Sequence, residues 1–390
     1  VEALGLPVIL VDTNDLARPG FREALIQGGV GLIEIGPLLE AAKLLARPRA
    51  GLTITTAPGV AIEMLSSGTT GDPKRIPLTR SAFDASFAGF TRYQRDREFE
   101  DAPRLRSGTT MVVNPLTHIG GIYGCIGALM EGRKIVLLER FTVEDWVAAI
   151  KRNRPKVAPA VPSAIKMILE ANVPKEALSS LVALISGTAP LSPEVVDEFY
   201  ARYALPILAN YGATEFAGAV AGWTIDDFRE HWASKRGSVG RVHADIEARV
   251  VDGLLEIKGA QLGNGGAWLR TMDRAVIDAD NFLFILGRAD NAIIRGGFKV
   301  HPDDVIKALQ SHPAVREAAV VGVPDDRLGE VPAAAIILRV GEKVLTTDAI
   351  KSFLKERLIA YQVPVHYRFV DDFPRTPSMK PSTPGLQALF

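Results

Sequence analysis

Cysteine is nearly absent from this chain of 390 residues, where Cys125 stands alone. A lone thiol closes no internal disulfide, and a chain without disulfides is expected in a reducing compartment, the cytoplasm. Histidine is scarce as well: its six copies fall at no metal-ligand spacing, so no zinc centre is expected. Net charge is missing too, with 45 basic residues against 45 acidic ones and no basic cluster. That balance carries no signature of a nucleic-acid partner or an anionic membrane. Long apolar runs are lacking. Stretches such as 333–338 end in proline or charge and are far too short to span a bilayer, so no transmembrane segment is expected. The first residues show no charged start ahead of a long apolar core, and no signal peptide is expected.

What is present is a hydrophobic content of 47%, enough for large cores, on a length that suggests two or three domains. Up to about residue 208, short apolar runs alternate with helix-like stretches. Residues 8–11, 110–113, 135–138 and 182–185 read as buried strands, and 79–95, 142–152 and 192–203 carry apolar residues at helical spacing. Thr142 and Ser192 suit N-caps, and Pro193 suits a first helical position. This alternation predicts an α/β architecture with largely parallel sheet. From 246 to 285 short strands are separated by Asp-Gly, Gly-Asn-Gly-Gly and Asp-Asn, which predicts an antiparallel, barrel-like piece. After Gly287 the style changes again. A helix at 302–310, strands at 315–321, 333–338 and 367–370, and an amphipathic helix at 346–358 predict a small α+β domain. The expected division is a large domain over 1–286 and a smaller, mobile domain over 287–390, with the boundary near 288–290. Residues 374–384, rich in proline, are expected to be extended.

The densest chemical signal is Ser66-Ser67-Gly68-Thr69-Thr70-Gly71-Asp72-Pro73-Lys74. Small residues let backbone N–H groups turn toward an anion, hydroxyls add donors, and a cation closes the run. The preceding Ala61-Ile62-Glu63-Met64-Leu65 reads as a strand, so the loop leaves a sheet end, where nucleotide loops sit. It is not the G-x-x-x-x-G-K-[ST] phosphate loop, because Lys74 follows Pro73 and no hydroxyl residue follows the lysine. Further polar clusters close later apolar runs: Pro115-Leu116-Thr117-His118, Gly187-Thr188-Ala189-Pro190, Tyr211-Gly212-Ala213-Thr214-Glu215, Leu269-Arg270-Thr271-Met272-Asp273, Gly287-Arg288-Ala289-Asp290, and Pro374-Arg375-Thr376-Pro377-Ser378-Met379-Lys380.

In this fixed order the clusters resemble those of the AMP-forming adenylating enzymes: acyl-CoA synthetases, peptide-synthetase adenylation domains and firefly-type luciferases. The resemblance runs from roughly residue 62 to 380. It implies a two-step reaction, in which a carboxylate attacks the α-phosphate of ATP and a thiol then attacks the acyl carbon of the acyl-adenylate. It also implies roles. Ser67, Gly68, Thr69, Thr70, Gly71 and Lys74 would wrap the outer phosphates. Tyr211 together with Gly187, Thr188, Ala189 and Pro190 would sandwich the adenine, and Asn210 and Gly212 would also belong to the nucleotide site. Thr214 would bond the α-phosphate, and Glu215 would hold Mg²⁺. Asp273 and Arg288 would take the ribose, with Arg288 also reaching phosphate. Asp290 would be the hinge about which the C-terminal domain swivels, and Lys380 would bridge the carboxylate and the α-phosphate. The chain departs from the family pattern at Arg75, Met272 and Met379, where glycine is usual. The family has a further portion ahead of the position of Val1, so the chain is expected to begin inside the fold, and the joint at Val251-Asp252-Gly253 is tighter than is usual in the family.

For the acid, no carboxylate occurs from 111 to 130 to pair with a substrate ammonium, which disfavours an amino acid. The run Gly120-Gly121-Ile122-Tyr123-Gly124-Cys125-Ile126-Gly127 allows two roles, the floor of an acyl tunnel gated by His118 or close helix packing. Gly296-Gly297-Phe298 matches the family loop that lines the route of a pantetheine thiol. The expectation is therefore an acyl-CoA synthetase using ATP, Mg²⁺, a fatty or aromatic carboxylic acid and CoA. A carrier protein as acceptor, a luciferase-like oxidation and a non-catalytic nucleotide-binding module stay open, as does oligomerisation.

Overall fold

The computed structural model describes residues 8–12, 17–29, 31–35, 43–49, 59–65, 75–95, 105–339, 345–376 and 380–390. The phosphate loop at 66–74, with Ser67, Gly68, Thr69, Thr70, Gly71 and Lys74, and the position of Met379 lie outside the described residues. By internal contacts the chain forms two compact units, residues 1–60 and 61–390. In the first, β1 (Val8–Asp12) pairs in parallel with β2 (Gly31–Ile35), with helix α1 (Phe21–Gln27) between them in sequence. Strand β3 (Lys43–Ala46) adds antiparallel to β2.

The second unit opens with a two-stranded ladder, β4 (Val60–Leu65) with β5 (Arg75–Thr79), followed by helix α2 (Arg80–Arg95). Strands β6 (Thr109–Val112) and β7 (Lys134–Leu137) pair in parallel, with helix α3 (Ile119–Met130) between them in sequence. Helix α4 (Val143–Asn153), strand β8 (Val157–Pro159), helix α5 (Pro162–Glu170), strand β9 (Ala183–Ser186) and helix α6 (Pro193–Tyr203) lead to β10 (Ile207–Ala213). Strands β8, β9 and β10 run parallel, as the alternating pattern demands. Then β11 (Gly218–Gly222) and, after helix α7 (Ile225–His231), β12 (Arg241–Val242) add antiparallel, completing the order β12-β11-β10-β9-β8. The helices start where expected. Thr142 Oγ1 accepts from Asp145 N–H at 3.0 Å and Ser192 Oγ from Val195 N–H at 3.4 Å. Such caps contribute about 1 kcal/mol each. Trp146, Ile150, Ile165, Ile168, Leu184, Phe199 and Ile207 are fully buried together between these helices and the sheet.

The antiparallel segment is a four-stranded sheet in the order β13 (Glu247–Val251), β14 (Leu254–Lys258), β15 (Leu269–Ile277), β16 (Leu283–Arg288). Its apolar face, with Leu255, Ile257, Ala275 and Leu283, is covered by Phe216, Val220 and Ala221 from the β10–β11 region. From Ile293 a separate set of cores begins. Strands β17 (Ile293–Arg295), β18 (Phe298–Val300), β19 (Val315–Asp325), β20 (Gly329–Leu338) and β21 (His366–Phe369) form one sheet, packed by helices α8 (Pro302–Gln310) and α9 (Thr347–Lys355). The proline-rich tail departs from the extended expectation. Arg375 and Pro381 bridge antiparallel, and helix α10 (Thr383–Gln387) follows, its N-terminus capped by Ser382. Prolines at 374 and 381 sit outside the donor positions of that turn, so they permit the fold-back.

Candidate active site

The sequence clusters converge because most of them sit at or just past strand ends. Gly187–Pro190 follow β9, and Asn210–Ala213 finish β10, the end of a parallel strand where α/β proteins bind ligands. Close approach fixes the glycines. A Cβ on Gly187 would lie 2.2 Å from Asn210 Oδ1, and one on Gly212 would lie 2.3 Å from the Gly218 carbonyl oxygen. Thr188 adopts φ +72°, a left-handed conformation that a threonine holds only at a cost, and such strain gathers at functional loops. Thr214 and Glu215 then form a 3₁₀ turn directly after β10.

Asp273 and Arg288 are fifteen positions apart in sequence yet directly opposite each other in the β15–β16 ladder. Asp273, its side chain 14% exposed, accepts a 2.5 Å hydrogen bond from the Tyr211 hydroxyl and lies 3.6 Å from Arg288 Nη1. Burial, and then the Asp273 charge, push the Tyr211 hydroxyl well above its usual range, so it stays a neutral donor. Arg288 forks onto Asp290 with contacts of 2.8 and 2.5 Å, and that pairing holds its guanidinium charged. Asp290, expected as a hinge, thus also orients the arginine expected to take ribose and phosphate.

Lys380 lines the same cleft as His118, Thr214, Glu215, Asp273 and Arg288. Burial pulls its ammonium below the ordinary lysine range and Arg288 adds repulsion, while Glu215 and Asp273 oppose that shift. His118 caps α3, its Nδ1 accepting from Gly120 N–H at 3.1 Å. An accepting Nδ1 leaves the proton on Nε2, and burial followed by the Lys380 charge lowers the imidazole pKa, which keeps it neutral. The two readings of the α3 glycines divide by residue. A Cβ on Gly121 would strike the Pro115 carbonyl at 2.1 Å, so this glycine serves packing, whereas Gly127, where a Cβ would meet the Phe87 ring at 3.0 Å, both packs and lines the cleft. Gly124 has only Val112 near, at 3.8 Å, and lines the cleft beside Tyr123, Phe87 and Phe90. Gly296 and Gly297, in the β17–β18 turn, are not among the cleft-lining residues.

A sequence model of the AMP-binding enzyme family matches residues 34–266, and one of the AMP-binding enzyme C-terminal domain matches residues 307–380. The chain belongs to the AMP-binding enzymes. A similar relative, 4-coumarate–CoA ligase 3 of Oryza sativa subsp. japonica, is 29% identical over 99% of this chain and 74% of its own length. Another, 4-coumarate–CoA ligase 1 of Solanum tuberosum, is 31% identical over 83% of this chain. The chain spans 64% of that second ligase. Among solved structures, o-succinylbenzoate CoA synthetase from Bacillus subtilis, bound to its acyl-adenylate intermediate, is 25% identical. It aligns with a TM-score of 0.75 over 99% of this chain and 79% of that one. The same enzyme has also been solved with ATP and a magnesium ion.

The residues present fit such ligands. No cluster of three or more metal-ligating side chains exists among the described residues, which excludes a dedicated all-protein cage there. Mg²⁺ does not require one, since it binds through one or two carboxylates together with substrate phosphates and water. Glu215 is exposed in the cleft, and its carboxylate makes no side-chain hydrogen bond among the described residues. No helix among the described residues is long and apolar enough to cross a membrane. Sequence reasoning missed Asp303. Its carboxylate fills the space a Cβ on Gly287 would need, at 2.3 Å, and accepts from Arg288 N–H at 3.1 Å. Only the glycine at 287, with φ +107°, hinted that something approaches there.

Proposed function

We propose that this chain is an AMP-forming acid–thiol ligase that activates a hydrophobic carboxylic acid with ATP and transfers the acyl group to CoA. The observation that carries the reading is Lys380, seated in one cleft with Glu215, Asp273 and Arg288 although it comes from the far end of the chain. In the first half-reaction an oxygen of the acid bonds to the α-phosphorus of ATP, and the bond to the bridging oxygen breaks as pyrophosphate leaves. The Lys380 ammonium supplies positive charge where the carboxylate and the α-phosphate meet, and Thr214 donates a hydrogen bond. Asp273 accepts from the ribose hydroxyls, and Tyr211 and Gly187–Pro190 offer a flat, close surface for adenine. Glu215 would hold Mg²⁺, which screens the phosphate charges. In the second half-reaction the thiol sulfur bonds to the acyl carbon, AMP leaves and the thiol proton is lost. A swing of the C-terminal part about Asp290 belongs to this reading, and such a swing would bring the Gly296-Gly297 turn to the cleft.

Phe87, Phe90 and Tyr123 support an aromatic acid over a fatty one. Tyr123 stacks on Phe87 at 4.3 Å and meets Phe90 edge-on at 6.3 Å, and all three line the cleft. Relatives named 4-coumarate–CoA ligases point the same way. The test is acid-dependent ATP–pyrophosphate exchange over hydroxycinnamates, benzoates and fatty acids, followed by mass analysis of products formed with CoA. Exchange with an aromatic acid and a CoA thioester is expected. ATP binding without exchange on any acid would instead mark a nucleotide-binding module, and exchange without a CoA product would point to another acceptor, such as a carrier protein.

A further inference from the structure

Lys380 does not reach the cleft on a helix or a strand. Its loop is closed at the base by the Arg375–Pro381 bridge and by Thr376 N–H donating to the Lys380 carbonyl at 2.8 Å. The Arg375 guanidinium, 14% exposed, donates to Glu317 Oε2 at 3.1 Å and to Asp372 Oδ1 at 2.8 Å. Glu317 stands on β19 just after Arg316, the extra residue of a bulge: Val315 pairs with Leu338, and Glu317 with Ile337. A bulge takes its extra residue out of the ladder and re-aims the groups around it. Here the Arg316 carbonyl accepts from Lys166 Nζ at 2.8 Å, and the Arg316 guanidinium lies 3.5 Å from Glu170. Lys166 and Glu170 are one turn apart on α5, whose Ile165, Ile168 and Leu169 are anchored in the main core.

A half-buried ammonium whose direct acceptor is a carbonyl is a costly choice for packing. Burial draws Lys166 below the ordinary lysine range, Glu317 opposes that, and Arg339 and Arg316 deepen it. A well-packed apolar side chain would hold α5 against β19 at lower cost, so the polar contact is better suited to fixing register than to adding net stability. The register it fixes is the start of β19, and through Glu317 and Arg375 the base of the Lys380 loop.

We propose that Lys166 and Arg375 are positioning residues for Lys380, joined through the bulge at Arg316 and the carboxylate of Glu317. Docking of β19 onto α5 thereby seats the lysine in the cleft. The proposal rests on the ligase reading for its catalytic consequence but not for its geometry. Its first test is trace acetylation by acetic anhydride, with labelling of Lys380 read by peptide mass spectrometry in the unaltered chain, Lys166→Met, Glu317→Gln and Arg375→Leu. Loss of one charge-assisted hydrogen bond shifts a two-position equilibrium by about tenfold, so Lys380 labelling should rise by about that factor. Labelling of the exposed Lys355 should not change. Glu317→Gln keeps side-chain size and carries the test should Arg375→Leu fail to fold.

The second test measures the half-reactions. Pyrophosphate exchange should fall about 10- to 100-fold in kcat, the scale of misplacing a catalytic group. The KM for ATP and thioester formation from supplied acyl-adenylate should hold. Lys166→Met should add nothing to Lys380→Ala, the signature of residues acting as one unit. Unchanged Lys380 labelling in folded variants, or equal loss in both half-reactions, overturns the proposal. If labelling rises yet the unaltered chain exchanges with no acid, the seating stands and only the ligase reading falls.

Discussion

Asp273 and Lys380 face the same cleft but are held there in opposite ways. Asp273 is built into the β15–β16 ladder, with Arg288 directly across and the Tyr211 hydroxyl on its carboxylate. Lys380 stands on a loop fixed by its own Arg375–Pro381 bridge, by the nearby Asp372 and by one ion pair to another element, from Arg375 to Glu317 on β19. A group fixed in a sheet suits a nucleotide that stays bound through both half-reactions. A group on a side-chain tether suits one that acts in a single half-reaction and is then withdrawn.

The sharpest way to break that comparison is Lys380→Ala. Adenylation is expected to fall about 10²–10³-fold, the scale for losing one electrostatic stabiliser, measured by acid-dependent pyrophosphate exchange. Asp273→Asn should cost less, about 10- to 100-fold, as expected for weakening hydrogen bonds to a charged acceptor, but should reduce both half-reactions. If it spares thioester formation, the nucleotide is not held at Asp273 throughout. Glu215→Gln should raise the Mg²⁺ concentration needed for half-maximal exchange, and an unchanged Mg²⁺ titration contradicts the metal role.

The pH dependence separates the groups further. In its proposed role Lys380 must be protonated, and burial lowers its pKa, so adenylation should decline with rising pH from below the ordinary lysine range. Thioester formation from supplied adenylate should lack that limb. His243, buried beside the Tyr93 ring, is pushed down to about 4 by burial. The unfolded chain takes up that proton near the usual histidine value while the folded chain refuses it. Stability on the order of 3 kcal/mol, present above about pH 6.5, should therefore be lost as pH falls toward 4. Urea unfolding at a series of pH values should show this slope, and His243→Gln should flatten it. The smallest effect is Thr142→Ala, which removes the N-cap of α4 and should cost about 1 kcal/mol of stability with both half-reactions intact.

How far the sequence could be read follows the same division. Elements with caps and clear periodicity, such as those at 143–153 and 193–203, were legible to within a residue or so at their ends. The helix at 162–170 lacks a legible capping residue, because its N-cap is Val161, which makes no side-chain bond, and only the proline at its first position marks the start. The candidate site was legible as an ordered set of clusters, since each motif is local and Asp273, Thr214 and Lys380, which line one cleft, each stand inside one. What holds them was not. The contact of Asp303 with Gly287, the bulge at Arg316 and the link from Lys166 to Arg375 depend on long-range approach that leaves no local pattern.

The most direct measurement is the ratio of thioester formation from supplied acyl-adenylate to acid-dependent pyrophosphate exchange, in Lys380→Ala and Asp273→Asn side by side. A tethered lysine serving one half-reaction predicts that the ratio rises about 100-fold or more in Lys380→Ala and stays near that of the unaltered chain in Asp273→Asn. A ratio unchanged in Lys380→Ala would contradict the account, because the lysine would then serve both steps or neither.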